Sequence, residues 1–356
     1  MRRALSVAMA AAMLLALPPM SSEPASAAVA RRRVLSCDGC WPASFAFSPN
    51  GRNVWYVERF SGAIRVHNRR TGRDRVWARI GNLATDGEQG LLGIALDPRW
   101  PRIRWVYVYY TKASPVQNRI LRLRRRSDGS IVRRRLASIP ASSNHNGGVI
   151  HIGPDNRLYA VTGDAGSPSR SQDLSSRAGK VLRMRLNGRR PSDNPLPGLG
   201  YSYGHRNSFG FTFDPRTRRL WETENGPSCD DEVNWVRAGR NFGWGPESDT
   251  CGSTGRTTAV GPRPVRPSWV FNPVPAVTGA AFCQRCGLGR GVGGRLLIGT
   301  FNTGQIRRLR LNDRRSAIVS DRLLYDHPRG VLSLVRHPGG SIYFSDMNGI
   351  YRLVRG

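Results

Sequence analysis

Four short polar segments sit just ahead of apolar runs. They are Asp86-Gly87-Glu88-Gln89-Gly90, Asn144-His145-Asn146-Gly147-Gly148, Gly204-His205-Arg206-Asn207 and Glu224-Asn225-Gly226-Pro227-Ser228-Cys229-Asp230-Asp231-Glu232. A neutral imidazole such as His145 can take the proton of a hydroxyl. An arginine such as Arg206 can stabilise negative charge building on an oxygen. The Gln89 amide can orient a sugar hydroxyl. Backbone carbonyls at Gly226 and Pro227 suit a hard cation such as calcium. The acidic trio Asp230, Asp231 and Glu232 reads two ways, as added calcium ligands or as the cap of a helix beginning near Glu232. A single histidine in a sequence is most simply structural. Four such segments matter only if the fold brings them to one place.

A repeat suggests that it does. An apolar strand leads into a Pro-Asn/Asp-Gly type of turn, and an aromatic-rich strand follows. The copies begin at Phe45 (FAFSPNGRNVWYVERF), Gly93, Val149, Phe211, Ala280 and Ser333. The turn prolines are Pro49, Pro98, Pro154, Pro215 and Pro338; their spacings of 49, 56, 61 and 123 leave one double gap, which the degenerate copy at Ala280 fills. Each copy continues past a glycine into a third strand with alternating apolar residues, as at Ala63-Ile64-Arg65-Val66. No long stretch keeps a helical period. The reading is an all-β, six-bladed β-propeller with four-stranded antiparallel blades around a central channel, spanning residues 31–356 as one domain. Radial closure pairs the first strand with the last. Two packed β-sandwiches are the competing architecture, and the single repeat phase argues against them. In a propeller, loops at matching points of successive blades converge on one mouth, so Gln89, His145 and Arg206 become candidate neighbours.

The net charge of +31 comes from 55 basic and 24 acidic residues, and only Lys112 and Lys180 of the basic set are lysine. Such a charge points first to nucleic acid. The N terminus argues against it. Met1-Arg2-Arg3, an apolar run from Ala4 to Leu17 and Ala25-Ser26-Ala27-Ala28 make residues 1–28 a secretory signal peptide. The run is too short for a comfortable membrane span of about 20 residues, and no other stretch could span after cleavage. The chain is therefore read as secreted or cell-envelope, with no nucleic-acid partner. The arginines become a solvated surface, with anionic envelope polymers as the remaining partner for it. Six cysteines in an exported chain suggest disulfides. The simplest pairing is local: Cys37 with Cys40, Cys229 with Cys251, Cys283 with Cys286. A four-cysteine zinc site from the two C-x-x-C pairs fits the wide separation poorly.

The stretches QGLLGIALDP, HNGG…IGPDNRLYAVTGD, GHRNSFGFTFDP and ENGPSCDDEVNWVRAGRNFGWG resemble those of the soluble quinoprotein sugar dehydrogenases, also called glucose/sorbosone dehydrogenases. The resemblance runs from about Trp41 to the C terminus. It implies a six-bladed propeller that uses pyrroloquinoline quinone and calcium. It implies that His145 is the general base, Asp164 the acid that orients it, and Arg206 and Asn207 the pair near the quinone carbonyls. Gln89 matches a substrate-side amide, and Gly226 and Pro227 the carbonyls on calcium. The implied reaction is base-assisted hydride transfer from the anomeric carbon of a small sugar to the quinone, which an external electron acceptor then reoxidises.

The late blades depart from the family pattern. Asn302 stands where the resemblance implies a lysine, and Gly330 and Leu332 where it implies two arginines. Phe271 and Val274 replace a tryptophan and a threonine. Arg329, Arg307 and Arg336 are the candidates to compensate. If they do not, the alternative is a non-catalytic propeller of the same lineage, which has lost the quinone and binds a ligand or the envelope.

Overall fold

The computed structural model describes residues 28–248, 251 and 257–356. The expected signal peptide lies outside them except for Ala28. Six four-stranded antiparallel sheets account for the strands. Blade one runs from Pro42–Phe47 to Asp74–Arg79, blade two from Leu91–Leu96 to Ile131–Ile139 and blade three from Ile150–Ile152 to Gly200–Tyr203. Blade four runs from Ser208–Phe213 to Trp269–Phe271, and blade five from Val277–Phe282 to Ile318–Asp326. Blade six takes three strands from Ser333 to Arg355 and its outermost strand, Val29–Ser36, from the other end of the chain. That strand pairs Val29 with Arg355 and Ser36 with Gly349. Closure therefore uses Val29 and Ala30, just ahead of the expected start, and makes Val29–Ser36 the outer edge strand of blade six.

The first strand of each blade faces the channel; inner strands of neighbouring blades touch around most of the ring, and between blades three and four Leu158–Val161 packs on Ser208–Phe213. The core is correspondingly divided. Six apolar clusters fill the six gaps between blades, such as Trp55, Trp77 and Ile94 between blades one and two and Phe45, Tyr56 and Tyr343 between six and one. Strands buried on both faces read as continuous apolar runs, which is why Leu91–Leu96 is buried throughout. Inner strands crowd at the channel. A Cβ on Gly93 would strike the Gly148 carbonyl, and one on Gly279 would strike the Leu334 N–H. The pairing register of the inner strands shifts near their starts, at Ala43, Leu92, Phe209 and residues 278–279. Such bulges re-aim the residues at the mouth.

Among the described residues the one helix is a single turn, Ser169–Gln172. The expectation of a helix beginning near Glu232 is corrected. Asp231–Val236 is the third strand of blade four, pairing Glu232 with Glu224 and Asn234 with Glu222. The sequence Val233-Asn234-Trp235-Val236 suits a pleated surface, and a partner strand is at hand. The three local disulfides, Cys37–Cys40, Cys229–Cys251 and Cys283–Cys286, are formed. No helix of the described residues is long and apolar enough to cross a membrane.

Candidate active site

One end of the channel opens into a cavity of about 470 Å³ lined by residues from all six blades. Residues just before the inner strands contribute Trp41, Glu88, His145, Arg206, Asn207 and Leu332; ends of second strands contribute Arg59, Asn225 and Phe301. Four polar segments that are far apart in sequence thus meet in one place.

His145 sits in the left-handed region with φ 53°, uncommon for a residue with a Cβ. The surroundings fix it there. Its N–H donates to Glu88 Oε2 at 2.6 Å and its carbonyl accepts from Ala165 N–H at 3.0 Å. Gly163 lies directly under that carbonyl, where any Cβ would collide. The ring is held as firmly. Nδ1 lies 2.7 Å from Asp164 Oδ1. Asp164 is fully buried and also accepts from Gly166 N–H at 2.7 Å and Trp244 Nε1–H at 2.7 Å. A carboxylate only accepts, so Nδ1 is the donor, and in the neutral ring the lone pair is then on Nε2. No protein group among the described residues bonds Nε2.

Arg206 and Asn207 come next around the mouth. The Arg206 N–H and the His205 ring both bond Glu224. Its guanidinium lies over Trp244 at 5.2 Å, and Nη1 donates to the Asn225 and Gly226 carbonyls at 3.0 and 2.8 Å. Burial weakens its hold on its proton. Asn207 Nδ2 donates to Glu88 at 3.2 Å. Among the described residues, two buried atoms in this group have no partner: Arg206 Nε and Asn207 Oδ1. Gly226 and Pro227 line the same cavity.

Other expected residues lie elsewhere. Gln89 is 4% exposed. Its amide accepts from Asp86 N–H at 3.2 Å and donates to the Ser142 carbonyl at 2.9 Å, so it braces the turn and does not line the cavity. Glu88, its neighbour, faces the cavity instead. The acidic trio is divided. Asp231 braces the loop by accepting from Gly226 and Val277 N–H groups. Asp230 and Glu232 line a second cavity of about 590 Å³, which Arg206, Gly226 and Pro227 also line. Burial, reinforced by Glu224, pushes the Glu232 carboxyl well up. His205 is fully buried under Phe242, with Nδ1 at 2.8 and 2.9 Å from Glu222 and Glu224. Burial opposes its charge, but the two carboxylates outweigh that and push it up to about 10.

The late-blade side of the mouth is apolar. Phe301 and Leu332 line it, and the Phe301 ring lies 6.2 Å from Trp41 across the mouth of blade six. Gly330 makes room for that ring: a Cβ there would come 2.5 Å from Phe301 Cδ2. Asn302 is exposed outside the cavity. The three arginines expected to compensate do not line it. Arg307 pairs with Asp321, Arg336 bonds Gln284, and exposed Arg329 lies 3.7 Å from Asp346. Phe271 belongs to the outermost strand of blade four, also away from the cavity. The arginine that does line this side is Arg59, stacked on Trp41 and Phe60. Sequence reading missed it, along with Glu88, Trp41, Phe301 and Trp244.

The sequence profile described as "Glucose / Sorbosone dehydrogenase" matches residues 40–355. The chain belongs to the glucose/sorbosone dehydrogenase family. It is similar to the quinoprotein glucose dehydrogenase B of Acinetobacter calcoaceticus, 30% identical over 57% of this chain and 50% of that protein. It is also similar to the aldose sugar dehydrogenase of Escherichia coli strain K12, 28% identical over 57% of this chain and 58% of that one. These matches thus span 50% and 58% of the length of the two curated relatives. The solved aldose sugar dehydrogenase of Streptomyces coelicolor, in its pyrroloquinoline-quinone-bound form, is 28% identical with a TM-score of 0.79, covering 94% of this chain and 99% of that one.

Proposed function

We propose that this chain is an exported sugar dehydrogenase that oxidises an aldose at its anomeric carbon, using pyrroloquinoline quinone and calcium held in the propeller mouth. The observation that carries the reading is the His145–Asp164 pair, 2.7 Å apart, with Nε2 left to the cavity. A neutral Nε2 backed by a buried carboxylate is a general base: it takes the hydroxyl proton, and Asp164 stabilises the imidazolium that results. Asp164 is kept available by two further donors and by its own burial, so the imidazole cannot turn away.

The residues fit the cofactor on this side. Among the described residues the buried Arg206 Nε has no acceptor and Asn207 Oδ1 no donor; a ligand carrying both ring oxygens and nitrogen would satisfy them. The Asn225 and Gly226 carbonyls accept from the Arg206 guanidinium, and the second lone pair of the Gly226 carbonyl, with the Pro227 carbonyl, would serve calcium, a hard cation that takes carbonyl oxygens. The quinone, when bound, would supply a two-electron acceptor. Glu88 takes the place expected of Gln89 beside the substrate. A small sugar fills the outer part of the cavity, and an external electron acceptor completes the cycle. The N-terminal pattern of residues 1–28 supports export, as do three disulfides in one chain.

The test is reconstitution of the mature protein with calcium and the quinone, followed by aldose-dependent reduction of an artificial dye. Saturable turnover that disappears in His145→Ala is expected. Absence of aldose-dependent reduction at saturating cofactor would overturn the proposal, in favour of a propeller that binds a ligand without redox chemistry.

A further inference from the structure

We infer that Arg59 is the cationic anchor of the apolar half of the mouth, where it takes a carboxylate of the bound quinone. The inference rests on the proposed function and adds a residue to it. Arg59 follows the second strand of blade one and lines the same cavity as His145 and Arg206. Its guanidinium is held in place before any ligand arrives. Nε donates to the Gln89 carbonyl at 2.9 Å, and Nη2 to the Gly87 carbonyl. The group lies 5.4 Å from the Trp41 ring centre and 4.7 Å from that of Phe60, within cation–π range. Nη1 has no protein partner among the described residues.

The charge is also short of a counter-ion. Glu88 is the nearest acid acting on it, but Glu88 spends its oxygens on the His145 N–H and on Asn207 Nδ2. Burial lowers the hold of Arg59 on its proton more than Glu88 raises it. A fixed, partly desolvated guanidinium with a free N–H edge matches a carboxylate, and its rigidity reduces the ordering cost of binding. The quinone carries three carboxylates, and the positions from which blades five and six could meet them are Asn302, Gly330 and Leu332. Phe301 closes off Gly330. Arg59 is thus the cation left on that side of the cavity.

The experiment measures equilibrium binding by tryptophan fluorescence quenching at saturating calcium, with two probes: pyrroloquinoline quinone and its trimethyl ester, which keeps the rings but not the charges. Arg59→Ala should weaken binding of the acid by roughly 10- to 100-fold and leave the ester nearly unchanged, while Arg59→Lys recovers part of the loss. Equal weakening of acid and ester would mean that Arg59 only braces the turn at Gly87–Gly90, and the inference would be wrong. Wild-type binding of the acid with no loss in Arg59→Ala would overturn the inference alone. No binding of either probe by the wild-type chain would overturn the proposed function, and the inference with it.

Discussion

The two halves of the propeller mouth are built by different rules. In blades two to four, polar groups hold one another: Glu88 fixes the His145 and Asn207 positions, Asp164 and Trp244 fix the His145 ring, and Glu224 ties Arg206 to His205. In blades five, six and one, volume does the holding. Phe301 lies over Gly330 and reaches Trp41, and Arg59 rests on Trp41 and Phe60. The first half is organised for proton transfer, where residue type and direction decide the outcome. The second is organised to hold a flat ring, where shape decides. A change at the His145–Asp164 pair should therefore alter the rate, and a change in the second half should alter stability and affinity.

The sharpest way to break this contrast is Asp164→Asn. An amide can donate to Nδ1 and hold the wrong tautomer, so kcat should fall by roughly 10²- to 10⁴-fold, with melting temperature changed far less. Normal turnover in this variant would remove the orienting role of Asp164.

A pH titration of stability comes next. The His205 imidazolium keeps its proton to about pH 10 in the fold, against about 6.5 in an unfolded chain. Its contribution is whole below about pH 6.5, erodes as the pH rises and is gone above about 10. The wild-type melting temperature should fall across that window, and His205→Asn should lack this component. Parallel curves for the two proteins would show that His205 is not charged.

On the apolar side, Gly330→Ala should cost about 1–3 kcal/mol in urea unfolding, because its Cβ meets Phe301. Adding Phe301→Ala should return part of it, since only the ring contact is relieved. Strictly additive losses would show that the two residues are not interlocked. The smallest effect is expected from Phe301→Lys, which should tighten quinone binding by roughly tenfold or less, because a new charge has to replace a lost apolar contact.

Much of the fold was legible from periodicity. Turn prolines, the glycine before each third strand and buried apolar runs mark repeated units, and even the degenerate copy at Ala280 forms a blade, from Val277–Phe282 to Ile318–Asp326. The polar half of the mouth was legible because its segments recur in phase. Glu88 and Gln89 show where this stops. Which of two adjacent side chains enters the cavity depends on the turn between Gly87 and Gly90, both at positive φ, and periodicity carries no such detail. Arg59 and Trp41 hold positions that other copies fill with different residue types, Asn225 and Phe301 after the second strand and Leu332 before the first, so no repeated pattern marks them. The trio at Asp230–Glu232 could have begun a helix, and cross-strand pairing with Leu220–Glu224 decided otherwise. Charge misled most: +31 overall, yet two arginines line the cavity.

The central claim is that the His145–Asp164 pair does the chemistry while the apolar half of the mouth serves only to hold the ligand. The direct test is steady-state kinetics of His145→Ala and Phe301→Ala, each reconstituted with calcium and quinone, on one aldose. The account predicts that His145→Ala loses kcat by roughly 10²- to 10⁴-fold with cofactor affinity nearly unchanged, and that Phe301→Ala loses affinity with kcat nearly unchanged. Full turnover in His145→Ala, or a loss of kcat at saturating cofactor in Phe301→Ala that equals it, would contradict the account.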